Sequence, residues 1–108
     1  MNLVALIGNV ASHPELGETI TGKAICTFQI AVPRLDAQLA DYFTVVTHER
    51  QAEICDAYLS VSLRIGLEGR LFAGLREGRD GSPESKVSIR AHRVQLLGNP
   101  STQPDEDE

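Results

Sequence analysis

The sequence predicts a small all-β protein, a five-stranded barrel with one helix. Five segments either alternate apolar with polar residues or carry runs of β-branched and aliphatic residues, as strands do. One segment has apolar residues at helical spacing. The chain has 108 residues, of which 42% are hydrophobic and 23% charged, so it is globular and long enough for a single core.

The first two strands are separated by a turn-rich connection. The first strand, Leu3–Val10, is an aliphatic run that contains Gly8, and a glycine inside a strand commonly marks a bulge or a sharp bend. Glycine and proline in residues 11–23 indicate turns. The second strand, Ala24–Val32, stops at Pro33. Its apolar face consists of Ala24, Cys26, Phe28, Ile30 and Val32.

The third strand is followed by the helix. In the third strand, Asp41–Thr47, both faces carry apolar groups, so the pattern leaves open whether Tyr42 or Phe43 points inward. The spacing becomes helical over Arg50–Leu59. The helical stripe expected to face the core is Ala52, Ile54, Cys55, Tyr58 and Leu59, and the residues expected to face water are Gln51, Glu53 and Asp56.

The last two strands enclose a long loop. Leu63–Phe72 alternates between an aliphatic inner face and an outer face with arginine and phenylalanine. Ala73–Ser85 is rich in glycine and charge and contains an Asp-Gly turn pair, which predicts a mobile hairpin tip. In the fifth strand, Lys86–Leu97, the apolar positions change parity. One extra residue near His92 and Arg93, a β-bulge, would return them to the core.

Charge is unevenly distributed along the chain. We expect one domain over Met1 to Gly98 and a disordered acidic tail over residues 99–108, which lack hydrophobic periodicity. Residues 1–99 hold 10 basic and 11 acidic residues, a net charge of −1, and the tail holds four acidic residues. The net charge of −5 therefore does not exclude nucleic acid as a ligand, because the tail need not face it.

The residues give no support to several functional classes. No segment approaches the roughly 20 apolar residues of a membrane span and no signal-type N-terminus is present, so we expect a cytoplasmic protein without membrane contact. Cys26 and Cys55 fall on apolar faces, which favours buried reduced thiols. The histidines lack zinc-type spacing and no catalytic motif is present, so we expect no metal, no cofactor and no enzyme activity.

The order of elements narrows the fold. Three strands, a helix and two further strands within about 97 residues form the element order of an OB-fold. This fold is a five-stranded Greek-key barrel that binds oligonucleotides or oligosaccharides. The fold does not by itself name the ligand.

Short blocks of sequence carry a more specific resemblance. They are Asn2–Val10, His13–Leu16, Gly22–Ala24, Phe28–Val32, Tyr42–Val46, Gln51–Glu53, Tyr58–Leu59, Leu67–Leu71 and Val94–Leu97. In order and spacing they resemble bacterial single-stranded DNA-binding proteins, over nearly all of residues 2–97. The resemblance implies sequence-independent binding of single-stranded DNA in replication, recombination or repair, at the nucleoid. It also implies a homo-oligomer, a tetramer or a dimer, with contacts through the first strand.

The resemblance also concerns the C-terminal segment. In the family, an acidic tail usually ends in a short hydrophobic tip that docks on replication and repair proteins. This sequence ends in four acidic residues, Asp105 to Glu108, without such a tip. We therefore expect a solubilising tail that can compete for a basic face, and no recruitment of those partners through a tip.

Candidate stacking residues follow from the resemblance and from the strand faces. Tyr42 occupies the position of a stacking aromatic in the family, and His48 and Arg76 stand where the family commonly has two further aromatics. Imidazole and guanidinium planes can also stack on bases. Phe72 shares an outer strand face with arginine, so stacking and a subunit contact both remain open. The aromatic residues assigned to the core are Phe28 and Tyr58.

Basic residues cluster on the last two strands and the loop between them. The members of this cluster are Arg70, Arg76, Arg79, Lys86 and Arg90. Arginine suits phosphate because its planar fork can donate two parallel hydrogen bonds. Acidic residues are interleaved with them, so an ordinary solvated barrel exterior is the alternative interpretation. Lys23 and Arg34, at the ends of the second strand, are further candidates.

Two functions follow, in order of preference. The first is binding of single-stranded DNA, by a weaker or specialised paralogue, because two stacking positions carry histidine and arginine. The alternative is a protein-interaction OB module resembling primosomal replication protein N, a group in which a helix as long as Arg50–Leu59 would be unusual. An oligosaccharide-binding domain is compatible with the fold but has no supporting motif.

Overall fold

The computed structural model describes residues 1–35 and 38–98, with the backbone alone described at 75–77. The secondary-structure elements of these ranges are β1 (Val4–Val10), β2 (Glu15–Glu18), β3 (Ala24–Pro33), β4 (Ala40–His48), α1 (Glu49–Tyr58), β5 (Arg64–Glu77) and β6 (Pro83–Gly98). The predicted acidic tail, residues 99–108, lies outside the described residues.

Five of the strands close into a barrel. β1 runs antiparallel to β5 from Val4 to Asn9, and it pairs with β3 through Asn9 and Val10. β3 pairs with β4, β4 runs parallel to β6 where Val45 meets Ile89, and β6 returns to β5. The circuit β1-β3-β4-β6-β5-β1 is the Greek-key barrel of the OB-fold, so the predicted fold is confirmed.

β2 is a short strand on the outer edge of β3. It pairs antiparallel with the start of β3, from Glu15 opposite Thr27 to Glu18 opposite Ala24. The sequence prediction of a connection without a strand was wrong here. All four β2 residues are exposed, so no alternation of buried apolar and exposed polar residues marks this segment as a strand.

The core lies inside the barrel and under α1. Its buried hydrophobic residues are Val10, Cys26, Phe28, Ile30, Val45, Ala52, Cys55, Leu59, Ile65, Leu67, Ile89 and Ala91. The centre of the apolar face predicted for the second strand is fully buried, and both cysteines are buried free thiols, as expected. On β4, Phe43 packs against this core and Tyr42 points outward.

Two glycines allow the strands to approach closely where the barrel closes. Gly8 lies where β1 passes from β5 to β3, and a Cβ atom there would meet the carbonyl oxygen of Ala31. Gly69 of β5 faces the backbone of β6, and a Cβ atom there would meet the carbonyl oxygen of Arg90. The glycine inside the first predicted strand therefore marks a change of strand partner.

The register of β6 shifts by one residue against β5. Glu68 lies opposite Arg93, whereas the next residue of β5, Gly69, lies opposite Ala91, so His92 is the extra residue. This confirms the β-bulge that the change of parity predicts. The shift lets Ala91 point into the core and Val94 pack against it from the other side of the bulge.

The helix packs on the barrel through a narrower stripe than predicted. Ala52 and Cys55 are buried, and the chain leaves the helical conformation at Leu59, which is also buried. Tyr58 is 66% exposed, so its assignment to the core was wrong. Consecutive helical residues are rotated by about 100°, and Leu59 fills the core position beside Cys55, which leaves the preceding side chain outside.

Gln51 is half-buried and does not simply face water as expected. Its Oε1 accepts a hydrogen bond from the backbone N–H of Val94 at 3.2 Å. Val94 lies two residues after the bulge at His92. The helix thus satisfies a donor of β6 near the place where the strand changes register.

β5 and β6 continue well past the barrel as a hairpin. Strand pairing reaches Glu77 opposite Pro83, although the sequence predicts a loop over Ala73–Ser85. That loop prediction was wrong except for the turn, residues 78–82, where the side chain of Asp80 accepts two hydrogen bonds from Ser82 and Gly81 has a φ of 85°. Glycine and charge are typical of loops, but here a long antiparallel register accommodates them.

Candidate nucleic-acid interface

One outer sheet face of the barrel is built from β3, β4, β6 and β5. Strand alternation sends every second residue of these strands outward, and register places them side by side. Val46 of β4 lies opposite Arg90 of β6, and Arg90 lies opposite Arg70 of β5. We call this surface, with Tyr42, His48, Arg70, Phe72, Lys86 and Arg90, the outer sheet face.

Tyr42 presents an open aromatic ring on this face. The side chain is 65% exposed, and its cross-strand neighbour on β3 is the small Ala31. Because Phe43 on the alternate side of β4 packs on the core, the parity of the strand is fixed with Tyr42 outward. The sequence alone left these two residues undecided.

Phe72 presents a second aromatic side chain on β5. It is 39% exposed and lies opposite Ser88 of β6. Arg70 precedes it by two residues and therefore points to the same side of the strand. The expected outward position of Phe72 beside arginine is thus what the structure contains.

Arg70 and Arg90 are directly opposite each other across β5 and β6. Both side chains are exposed, and neither forms an ion pair with any side chain that the structure describes. Two guanidinium groups in such a cross-strand position repel each other. This arrangement costs stability in the free protein and suits an anion placed between the two groups.

His48 ends β4 beside this pair. The pKa of its imidazole is lowered, chiefly by burial and then by the positive charge of Arg90, with an opposing effect of Glu49. Its buried Nδ1 atom has no hydrogen-bond partner among the described residues. The ring is therefore neutral near pH 7 and adds a flat polar surface, not a charge, to the outer sheet face.

The remaining basic candidates of the cluster follow the hairpin. Lys86 of β6 is exposed and lies opposite Gly74, and Arg79 is exposed in the turn between β5 and β6. The backbone of Arg76 lies opposite Glu84, and its side chain is outside what the structure describes. Register therefore places Arg70, Arg90 and Lys86 on one face and continues the cluster outward along the hairpin.

Lys23 and Arg34 are held away from this cluster at the two ends of β3. The Arg34 guanidinium donates two hydrogen bonds to Oδ1 of Asp41, at 2.9 and 2.8 Å, which raises its pKa. The Lys23 ammonium lies 3.3 Å from a carboxylate oxygen of Glu49. Both cations are exposed and each has a carboxylate partner, so they are weaker candidates for phosphate than the arginine pair.

A polar contact in the middle of the outer sheet face was not predicted from the sequence. The side-chain amide of Gln29 on β3 donates a hydrogen bond to the hydroxyl of Thr44 on β4 at 2.7 Å. Alternation places each of them outward, but only the strand register shows that they meet. The surface between Tyr42 and His48 is therefore polar. Its amide and hydroxyl groups can form hydrogen bonds with bases.

A separate apolar groove lies over β1 and the adjoining stretches of β5 and β6. It has a volume of about 500 Å³, and its lining includes Ala5, Ile7, Gly66 and Leu97, with Glu68 and Arg93 at its polar margin. The other edge of β1 pairs with β3 only through Asn9 and Val10, so in the described residues Val4–Ile7 have one unpaired edge. An open strand edge beside exposed apolar side chains is the kind of surface that a second chain covers.

The side chains that could ligate a metal are dispersed in the described part of the chain. Within the described ranges, no group of three or more histidine, cysteine, aspartate or glutamate side chains could hold a metal ion. None of the helices described is long and apolar enough to cross a membrane. Burial raises the pKa of both thiols, which makes Cys26 and Cys55 weak nucleophiles.

Fold and site together define the class of protein. It is an OB-fold barrel with stacking and phosphate-binding residue types on one sheet face. The chain belongs to the single-strand binding protein family, whose profile matches residues 1–97. This is a non-catalytic DNA-binding family.

Individual relatives agree with this assignment. The chain is 33% identical over 105 residues to the single-stranded DNA-binding protein of Treponema pallidum, and 35% identical over 102 residues to that of Bacillus cereus. These alignments cover 92% and 90% of this chain but only 59% and 60% of the relatives. The chain thus spans about three fifths of the length of these two proteins.

A solved structure supports the fold. The crystal structure of the small single-stranded DNA-binding protein from Streptomyces coelicolor superposes with a TM-score of 0.68. The match covers 87% of this chain and 92% of the other, at 23% sequence identity. At that identity the likeness establishes the barrel and carries no site residue across.

Proposed function

We propose that this protein binds single-stranded DNA without sequence preference and protects it during replication, recombination or repair. The observation that carries the proposal is the outer sheet face, where two outward aromatic rings, Tyr42 and Phe72, share one face of the sheet with the basic pair Arg70 and Arg90. Bases stack on aromatic rings whatever their identity, and cations track the backbone. Family membership and the names of the relatives support the same ligand.

Histidine and arginine stand at two positions where the family commonly has aromatic rings, which supports a binder of modest affinity. His48 is neutral and half-buried, so it offers less stacking surface than a large exposed ring. The role in this proposal is binding alone, with no catalytic step and no cofactor. We place the protein in the cytoplasm, at the nucleoid, where its ligand is found.

We also propose that the protein is a homo-oligomer assembled through the groove over β1. Ile7 is 56% exposed within that groove, next to the unpaired edge of the strand. The lining of the groove contains none of the residues of the outer sheet face, so assembly through the groove would leave those residues open to DNA. Linked copies would increase the affinity for long strands through multivalency.

The test is fluorescence anisotropy of labelled oligo-dT, duplex DNA and RNA of equal length across a salt series. We expect single-stranded DNA to bind more tightly than duplex, with the logarithm of the association constant falling by roughly 0.7 per phosphate neutralised for each tenfold rise in salt. Tyr42→Ala should weaken binding by about 1–3 kcal/mol, because one stacked base loses its platform.

Tyr58→Ala is the matched control for that variant. Tyr58 is equally exposed but lies on α1, away from the outer sheet face, so its loss should leave DNA affinity unchanged. Absence of single-strand binding at low salt would refute the proposal. Specific capture of a replication protein by such a non-binding chain would support the protein-interaction alternative.

A further inference from the structure

We propose that Arg70 and Arg90 form a clamp for one phosphate, and that the base of the same nucleotide stacks on Phe72. The inference rests on the proposed function and specifies where the strand is held. It assigns the tightest contact to β5 and β6, beside the β-bulge, and gives Tyr42 on β4 the role of stacking a further base.

The clamp follows from an unusual pair in the strand register. Among all cross-strand pairs of β5 with β6, Arg70 opposite Arg90 is the one with two like charges. The other charged pairs there match an acid with a base, as Glu68 does with Arg93. Like charges directly opposite destabilise a sheet, so this pair lowers the stability of the free protein.

Among the described residues, no acidic side chain lies in ion-pair range of the two guanidinium groups, and Glu68, two residues before Arg70 on the same side of β5, lies opposite Arg93. The β4 neighbour of Arg90 is the apolar Val46. His48, the titratable group next to Arg90, has a lowered pKa and brings no negative charge. A phosphate between the two forks would replace their repulsion with charge-assisted hydrogen bonds from both sides.

The position of Phe72 limits the clamp to one nucleotide. Phe72 lies two residues beyond Arg70 on the same side of β5, a rise of about 7 Å along the strand. That span suits one nucleotide with its phosphate at the arginines and its base over the ring. The residue directly opposite Phe72 on β6 is Ser88, whose small side chain leaves room for a base beside the ring.

The experiment measures oligo-dT affinity by anisotropy at several salt concentrations for Arg70→Gln, Arg90→Gln and the double variant. Each single change should lower affinity about three- to tenfold at low salt and reduce the salt slope by about 0.7. The double variant should lose less than the product of the two single losses, because both arginines hold the same phosphate. Arg70→Lys should keep the salt slope and still lose affinity.

Arg64→Gln is the matched control, because Arg64 is an exposed arginine of β5 that lies opposite Gly98, at the far end of the barrel. It should leave the DNA affinity and its salt dependence at the wild-type values.

Thermal melting without DNA gives a second readout. Because the repulsion is removed, the Tm of Arg70→Gln and of Arg90→Gln should rise by about 1–3 °C. If the arginines instead stabilised the sheet, the Tm of both variants would fall.

The outcomes separate the clamp from the wider function. If the wild type binds single-stranded DNA and both glutamine variants bind it with the same affinity and the same salt dependence, the clamp is overturned. Single-strand binding as the function would then still stand. If the loss of DNA affinity in the Phe72→Leu, Arg70→Gln double variant equals the product of the two single losses, the two residues do not bind the same nucleotide. A wild-type chain that binds no single strand at low salt would overturn the clamp together with the proposed function.

Discussion

The direction of single side chains determines which chemistry reaches the surface of this barrel. On β4, Phe43 faces the core and Tyr42 faces solvent, so one strand supplies both a packing ring and an exposed ring. On β5, Arg70 and Phe72 share the outer face. The same alternation of the backbone that fills the core therefore places aromatic and cationic groups next to each other outside.

The buried thiol of Cys26 makes stability depend on alkaline pH. Burial, with smaller contributions from Cys55 and Asp56, raises its pKa to about 11, whereas a thiol in the unfolded chain has a pKa near 8.5. Between these values the folded state keeps the proton and the unfolded state loses it. Stability should therefore fall as pH rises from about 9 to about 11, by on the order of 2 kcal/mol.

Urea denaturation of wild type and Cys26→Ala at several pH values checks this prediction. The alanine variant should be less stable at pH 7 because of the cavity, but its stability should fall less steeply above pH 9. Parallel pH profiles for the two proteins would contradict it. Because other groups also titrate in this range, only the difference between the two profiles reports on Cys26.

At the scale of elements, the bulge in β6 and the glycine opposite it shape the barrel together. The register shift at His92 brings the backbone of β6 against Gly69 of β5. A Cβ atom at position 69 would lie 2.8 Å from the Cα of Ala91 and closer still to the carbonyl oxygen of Arg90. Backbone atoms on both sides leave no flexible side chain to move aside.

Gly69→Ala should therefore destabilise the protein by about 1–3 kcal/mol, as overpacking does. The matched control is Gly74→Ala on the same strand, where a Cβ atom would meet nothing within 4 Å. That change should stay within about 0.5 kcal/mol of wild type. Equal denaturation midpoints for the two variants would show that β6 can move away from position 69.

The elements themselves were largely predictable from local pattern. The bulge was visible because Ile89 and Val94 cannot both reach the core without an extra residue. β2 was not predicted, because all four of its residues are exposed. Its pairing with β3 is a backbone pairing that leaves no pattern in the sequence. The hairpin beyond the barrel was missed for a similar reason, since glycine and charge hide the pairing of two long strands.

The candidate site was less predictable than the fold. Strand alternation sufficed to put Arg70 and Phe72 on one face, but pairing across strands depends on a register that sequence does not specify. The opposition of Arg70 and Arg90, like the contact of Gln29 with Thr44, appears only once the strands are aligned. Sequence also could not show that Arg34 has Asp41 as a partner, because the antiparallel register of β3 and β4 brings them together.

At the scale of the whole molecule, the barrel has two surfaces that differ in charge and polarity. The outer sheet face presents Arg70 and Arg90, which have no ion-pair partner among the described residues, with two aromatic rings, and it suits a polyanion. The groove over β1 is apolar and borders an unpaired strand edge. In the proposed function the first surface binds DNA and the second binds another copy of the chain, and the two share no residue, so they can be occupied together.

Ile7→Glu should impair assembly through the groove over β1 without changing the outer sheet face. A carboxylate in the apolar groove over β1 would be desolvated on assembly, so the variant should shift toward a monomer in sedimentation equilibrium. Leu16→Glu on β2 is the matched control, because Leu16 is similarly exposed but lies outside that groove. It should keep the wild-type mass.

The same pair of variants connects assembly to DNA binding. A monomeric Ile7→Glu protein keeps its outer sheet face, so its affinity for an oligonucleotide short enough for one barrel should match wild type. Its affinity for a strand several times longer should fall at least tenfold, because linked copies no longer raise the local concentration of sites. Equal losses for short and long strands would show that the groove over β1 belongs to the DNA surface itself, and a wild-type mass for Ile7→Glu would place the subunit contact elsewhere.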